Sequence, residues 1–223
     1  VNTGIQFVLA QYNPAGELMD EPGINRVTVE EVTEGTPPDK YHRFLSQNNA
    51  IWPHEKYLNI WLMSETKYPK FWNSITKLCV PKYRLGSETL PGLSLPPVPS
   101  TWVPKVEQIG ILFRMSTFQY FQRSIDATAE RELVTCIGNY LGLLDTWKIN
   151  NSNVNDQCND TFAYGIVNNN GSLGTNSSWS KEVGSYRFLS ENIMDDPTGT
   201  HRSVSKDQAL RMYWVLKNCA GRS

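Results

Sequence analysis

The apolar and polar positions fall into short strand-like runs in the first half of the chain and two helix-like stretches later. Residues 5–10 (IQFVLA) form a nearly unbroken apolar run, the pattern of a buried strand, and NPAG at 13–16 is turn chemistry behind it. INRVTVEEV (24–32) alternates from Val27 and reads as a half-exposed strand, before a polar, Pro-rich break at 33–39. KYLNIWLM (56–63) predicts a central strand and IGILF (109–113) another, while KFWNSITKL (70–78) reads as a short helical or irregular insertion. Five prolines in residues 90–104 exclude regular structure there and predict a long surface loop of polyproline character, either a plain linker or a rim for a cleft beside the strand at 109–113.

Helical spacing predicts a helix beginning near Thr128. At about 100° per residue, Leu133, Ile137, Tyr140, Leu141 and Leu144 share one face. Thr135, Asn139 and Gly142 lie opposite, on a face able to line a cleft, with Cys136 between the two. Gly142 is placed to end the helix in a left-handed conformation and turn Asp145 back toward Asn139. Residues 150–181 are rich in Asn, Ser and Gly and read as loop-dominated. The segment 205–218 predicts a closing helix, with Ser205 and Gln208 as a capping box and Leu210, Tyr213 and Leu216 or Lys217 at helical spacing.

Composition narrows the class. With 223 residues the chain accommodates one sizeable domain or two small subdomains around a cleft. Its 21 basic and 22 acidic residues form no basic cluster, which argues against nucleic acid or an anionic membrane as partner. No apolar run approaches the roughly 18 residues of a membrane span. The first residue is Val1, with neither a Met nor an export leader, as expected of a processed piece whose signal or lipid anchor lay upstream. Four cysteines (Cys79, Cys136, Cys158, Cys219) permit up to two disulfides in any of three pairings and are spaced too widely for a zinc knuckle. Sequons begin at Asn150, Asn159, Asn170 and Asn176. The abundance of Trp, Tyr and Asn-rich loops suits an extracytoplasmic protein, secreted or held at the cell surface.

The chemical signature lies in TCIGNYLGLLDTW (135–147). It resembles the active-site helix of metzincin zinc proteases, H-E-x-x-H-x-x-G-x-x-H, in its pappalysin-like form, which continues G-L-x-H-T-[FW]. Gly138, Leu141, Gly142, Leu143, Thr146 and Trp147 keep that frame. Further matches follow in order: IQFVLAQYNPAGE and GINRV resemble the family's second strand and turn, and YLNIWL its central strand. LGSETLPG (85–92) resembles the cleft-edge strand, DQCNDT (156–161) the Asp-rich loop, ENIMDD (191–196) the Met-turn around Met194, and VSKDQALRM (204–212) the start of the terminal helix. In detail the chain is similar to exported, often lipid-anchored metalloproteinases of Bacteroidetes bacteria. The resemblance implies an α/β fold of the metzincin type: a twisted mixed sheet with an edge strand beside a cleft. It divides the chain into an upper subdomain, 1–145, lacking the family's first strand and backing helix, and a lower one, 146–223.

The departures carry the functional expectation. Thr135, Asn139 and Asp145 stand where the resemblance places three zinc-binding histidines, and Cys136 stands where it places the catalytic glutamate. A hydroxyl and an amide are poor zinc donors, one carboxylate does not hold the metal alone, and no general base remains. The expectation is a pseudopeptidase without zinc that binds a peptide or protein by adding it to the edge strand. Two alternatives stand beside it. One is a peptidase with an atypical site, either a metal at Asp145, Asn139 and Cys136 or a Cys136 nucleophile served by His201, the histidine nearest the Met-turn. The other is a structural domain of a larger surface lipoprotein, its cleft filled. Asp156 and Asp160 fit a solvated loop better than a calcium loop, Asp195 and Asp196 suit turn formation, and Trp52, Trp102 and Trp179 are candidate contact residues.

Overall fold

A computed structural model describes residues 1–27, 45, 49–63, 77–80, 109–114, 128–149, 154–166, 180–183, 186–189, 191–195 and 201–219. Most of the alternating run 24–32, the breaks at 33–39 and 90–104, the 85–92 strand, His42, Trp102, Trp179 and Asp196 lie outside the described residues, as do the sequons at Asn150, Asn170 and Asn176.

Among the described residues the main sheet has three strands in the order β1-β3-β2. β1 (Ile60–Met63) runs parallel to β3 (Gly110–Arg114), and β2 (Lys77–Val80) pairs antiparallel on the other side of β3. The sequence expectation put the central strand at 56–63, but that place belongs to β3. Ile111, Leu112 and Phe113 are at most 1% exposed, buried on both faces, whereas β1 alternates between buried Trp61 and exposed Ile60 and Leu62. Residues 70–78 were expected to be helical or irregular, yet Lys77 and Leu78 open β2. Strand character there comes from pairing with β3, a non-local effect that local propensity does not report.

Residues 5–10 differ most from expectation. They run without turn, bend or bridge but belong to no sheet, and Phe7, Val8 and Leu9 are exposed. Only Ile5 packs against the main core. An apolar run becomes a strand only when another backbone meets its hydrogen-bonding groups, and none of the described sheets does so.

α1 (Thr128–Tyr140) lies on the sheet, with Leu133, Cys136 and Ile137 packed around Ile111 and Phe113. Its C-terminal end feeds a second cluster, in which Tyr140, Leu141 and Leu143 meet Ile109, Ile193, Met194 and Met212. That cluster draws on residues from both sides of position 145. Two further pairs follow: β4 (Trp147–Ile149) parallel to β5 (Tyr164–Ile166), and the antiparallel hairpin of β6 (Ser180–Val183) and β7 (Tyr186–Leu189). β5 and the start of β6 fall in a stretch read from composition as loop.

α2 (Lys206–Asn218) opens on the expected box: the Ser205 side chain accepts from the Gln208 N–H at 3.1 Å, and Gln208 Oε1 accepts from the Ser205 N–H at 3.0 Å. Its buried stripe is Gln208, Ala209, Arg211, Met212 and Val215, while Leu210 and Tyr213, also at helical spacing, are exposed. Both sets have helical spacing. Gln208 decides between them, because it is fully buried and exchanges two hydrogen bonds with Asn192 (2.8 and 3.1 Å), fixing the helix rotation.

Replacing Ser205 with Ala removes one half of the box. The expected result is a loss of about 1 kcal/mol, read as a lower urea midpoint with unchanged m-value.

Candidate functional site

The C-terminal turn of α1 builds the site. The Gly142 N–H bonds the Asn139 carbonyl (3.0 Å) and the Leu143 N–H bonds the Gly138 carbonyl (2.9 Å), the paired bonds of a Schellman cap. Gly142 sits at φ +84°, buried, where a side chain would be strained. The reversal sends residues 143–146 back along the helix, and Asn139 Nδ2 then donates to the Leu143 carbonyl (3.1 Å) and to Asp145 Oδ1 (3.4 Å).

The Met194 segment closes over this turn from the other side. Met194 is fully buried, and a Cβ added at Gly138 would collide with its sulfur. Thr146 fastens the segment twice, since its N–H (3.0 Å) and hydroxyl (3.2 Å) both donate to the Met194 carbonyl. Thr135, one turn up the helix, donates its hydroxyl to the Ile193 carbonyl at 2.8 Å. Asn192 Oδ1 accepts from the Met194 N–H (2.9 Å), joining the same loop to the network of Gln208. Tyr164 donates to Asp195, so β5 reaches it as well.

His201 completes the group. It is buried with φ +51°, an uncommon backbone state for a non-glycine residue, and its Nδ1 lies 3.4 Å from Thr135 Oγ1. The Thr135 proton points to Ile193, so toward His201 the hydroxyl acts as acceptor and Nδ1 carries the hydrogen. Thr135, Asn139, Asp145, Met194 and His201 are thus brought together. Cys136 is not among them: it is 2% exposed and faces Ile111 and Phe113 in the sheet core. The position between the two faces expected from the helical wheel is corrected to a core position, and a Cys136–His201 hydrolase loses its geometry.

The face opposite the sheet is also less open than the helical wheel implied, because Asn139 is 6% and His201 8% exposed. A zinc ion needs three or four nitrogen, sulfur or charged oxygen ligands around one point. The residues present do not fit it: the Thr135 hydroxyl and the Asn139 amide are donors to protein carbonyls, and Cys136 faces away. Among the described residues, no group of three or more His, Cys, Asp or Glu is arranged to hold a metal.

The Asp-rich loop serves α2. Asp160 Oδ2 accepts from the Asp207 N–H (3.0 Å), Asp207 Oδ2 accepts from the Asn159 N–H (3.0 Å), and Arg211 donates to the Asp156 carbonyl (2.9 Å) and to that of Gln157. Burial raises the carboxyl pKa of Asp156 despite the hydrogen bond from Thr161 Oγ1 (2.6 Å). Asp160 also feels burial, but hydrogen bonds from Ser205 and from the Asp207 and Lys206 backbone outweigh it and lower its pKa. Burial pushes the Cys158 thiol up to about 12, so it stays protonated and unreactive at neutral pH. Of the remaining sequence candidates, Trp52 packs edge-on against Tyr57 at 4.9 Å and Asn159 is exposed. Sequence reasoning missed the ties through Tyr164, Asn192 and Gln208. Only a buried polar residue inside an apolar helical stripe, as at Gln208, hints at them.

No family model, curated protein or solved structure matches the chain. The likeness to metzincins is thus a resemblance of ordered sequence motifs. Among the described residues no helix is long and apolar enough to cross a membrane.

Thr135→Val keeps the shape but strands the Ile193 carbonyl. It is expected to cost about 1–3 kcal/mol, measured by urea denaturation, whereas Thr135→Ser retains most of the stability. The acid response separates the two aspartates. Asp156, with its raised pKa, favours the fold below the ordinary value of 3.8 and loses that contribution as pH rises through its folded pKa. Asp156→Asn is therefore expected to raise the Tm at pH 7, an advantage that vanishes toward pH 3. Asp160 has the opposite sign: its contribution is present above 3.8 and is lost as pH falls through its lowered pKa.

Proposed function

We propose that the chain is a non-catalytic, metzincin-like domain, a pseudopeptidase whose former metal site has become part of its own core. One observation carries this reading: the polar groups at the former ligand positions are committed to the protein's own loops, Thr135 to Ile193 and Asn139 to Leu143 and Asp145. Hydrolysis of a peptide bond needs a polarised carbonyl and an activated water. Neither the Thr135 hydroxyl nor the Asn139 amide supplies either, and Cys136 is directed into the sheet.

Two versions of that reading differ in what the groove does. The burial of Asn139 and His201 favours a filled site in a structural domain of a larger extracytoplasmic protein. The partial exposure of Asp145 and Thr135 supports the other, in which an extended peptide lies along their outer side.

Protein purified without chelator is expected to carry zinc far below one equivalent and to leave casein and gelatin intact. Stoichiometric zinc with cleavage overturns the proposal. Between the two versions, amide NMR signals of residues 135–145 are expected to stay unmoved by a casein peptide digest. Saturable shifts there assign the site to peptide binding.

A further inference from the structure

Residues 7–9 form an apolar surface that neither the core nor the α1 site uses. Phe7, Val8 and Leu9 are 52%, 85% and 71% exposed, consecutive in a segment without turn or bend. The segment is pinned at both ends. Upstream, the Val1 amino group donates to the Val204 carbonyl (3.0 Å), Gly4 abuts the Tyr213 hydroxyl, and Ile5 enters the core. Downstream, the Gly23 N–H bonds the Ala10 carbonyl (2.7 Å), the Met19 N–H bonds the Gln11 carbonyl (2.9 Å), and Tyr12 bridges Leu18 antiparallel. Asn13 Oδ1 stiffens that hairpin by accepting from the Ala15 and Glu17 N–H groups, each at 3.0 Å. Between the anchors, Gln6 to Leu9 make no backbone hydrogen bond with any described residue.

We propose that residues 6–9 are a docking edge for an extended peptide segment, apolar in its middle and flanked by Lys or Arg, which adds to the edge as a β-strand. Three observations select this occupant. A backbone without turn or bend, and without a main-chain partner among the described residues, calls for hydrogen bonds that an incoming strand supplies and a helix does not. The side chains on the edge are uncharged, and exposed Leu18 and Ile24 on the adjoining hairpin extend the apolar surface. The charge beside it is acidic. Arg26 is paired with Glu21 at 2.5 Å, and among the described residues the Glu17 carboxylate meets the neutral Asn13 amide (2.8 Å). Glu17 and Asp20 on the adjoining hairpin attract a basic flank and repel an anionic membrane. This edge is independent of the α1 site, and the proposal stands whichever version of the groove holds.

The test uses the full 223-residue chain and end-capped, fluorescein-labelled peptides of alternating valine and threonine, with either two lysines or two glutamates at one end. Anisotropy titrations are expected to saturate, with the lysine peptide about three- to tenfold tighter at low salt and the gap closing at high salt. Val8→Pro removes a backbone donor at an exposed position and is expected to weaken both peptides at least about fivefold. Glu17→Lys combined with Asp20→Lys is expected to reverse the preference. Peptides N-methylated at every second residue probe the same bonds from the ligand side: one of the two phases is expected to lose binding even if Val8→Pro lowers the Tm. Titrations that do not saturate, or binding indifferent to N-methylation, overturn the proposal. So does a concentration-dependent dimer that Val8→Pro dissolves while peptides have no effect, since the occupant is then a second copy of the chain.

Discussion

The contact between Gly138 and Met194 sets the positions of everything around it. A buried thioether rests where a side chain at position 138 would have to be, so α1 and the Met194 loop approach more closely than two ordinary surfaces can. Close packing alone does not fix the direction of such a loop. Hydrogen bonds do: Thr135 holds the Ile193 carbonyl, Thr146 holds that of Met194, and Asn192 holds the Met194 N–H. A loop with its carbonyls and amide fixed in this way has little freedom left. The small residue, the flexible thioether and the threonines on either side form one unit.

Around that unit the polar groups point inward and satisfy one another. Asn139 bonds the chain that Gly142 has turned back, and Gln208 bonds Asn192 at the base of the same loop. Buried polar networks of this kind specify one arrangement when complete and are costly when broken. They also occupy the hydroxyl and amide groups at Thr135 and Asn139 with the protein's own carbonyls. The same interactions that orient α1, the Met194 loop and α2 therefore support a domain whose site is structural. Function is then sought where the surface is still unsatisfied, which directs attention to the apolar edge at residues 6–9.

Much of this was legible in the residues. The start of α1 at Thr128, the left-handed turn at Gly142, the return of Asp145 toward Asn139 and the Ser205–Gln208 box all follow from local rules of spacing, chirality and capping. What failed was non-local. Helical spacing alone, as at Leu210 and Tyr213, did not say which stripe of α2 is buried, because Ala209 and Met212 share the same spacing. The core found outside the helix decides, through a glutamine that a hydropathy pattern would place in water. Residues 5–10 failed for the converse reason, since they have strand composition but no described strand beside them. Cys136 was placed between two faces by its angle, although the sheet covers a wider arc of the helix than the apolar stripe marks out.

The sequence by itself determined the chemistry along 135–145, a hydroxyl at Thr135, an amide at Asn139 and a carboxylate at Asp145, because covalent order and side-chain chemistry need no fold to be read. It also determined the helix ends, because caps and left-handed glycines act within a few residues. Only the tertiary structure decided where those side chains spend their hydrogen bonds. Thr135 could equally have faced a bound peptide, and it faces the Ile193 carbonyl because a loop 58 residues away is packed against Gly138. A hydrogen bond is worth little in water and much in a buried site. The partner a polar residue takes is therefore settled by which segments exclude water from it, and that is a property of the folded chain.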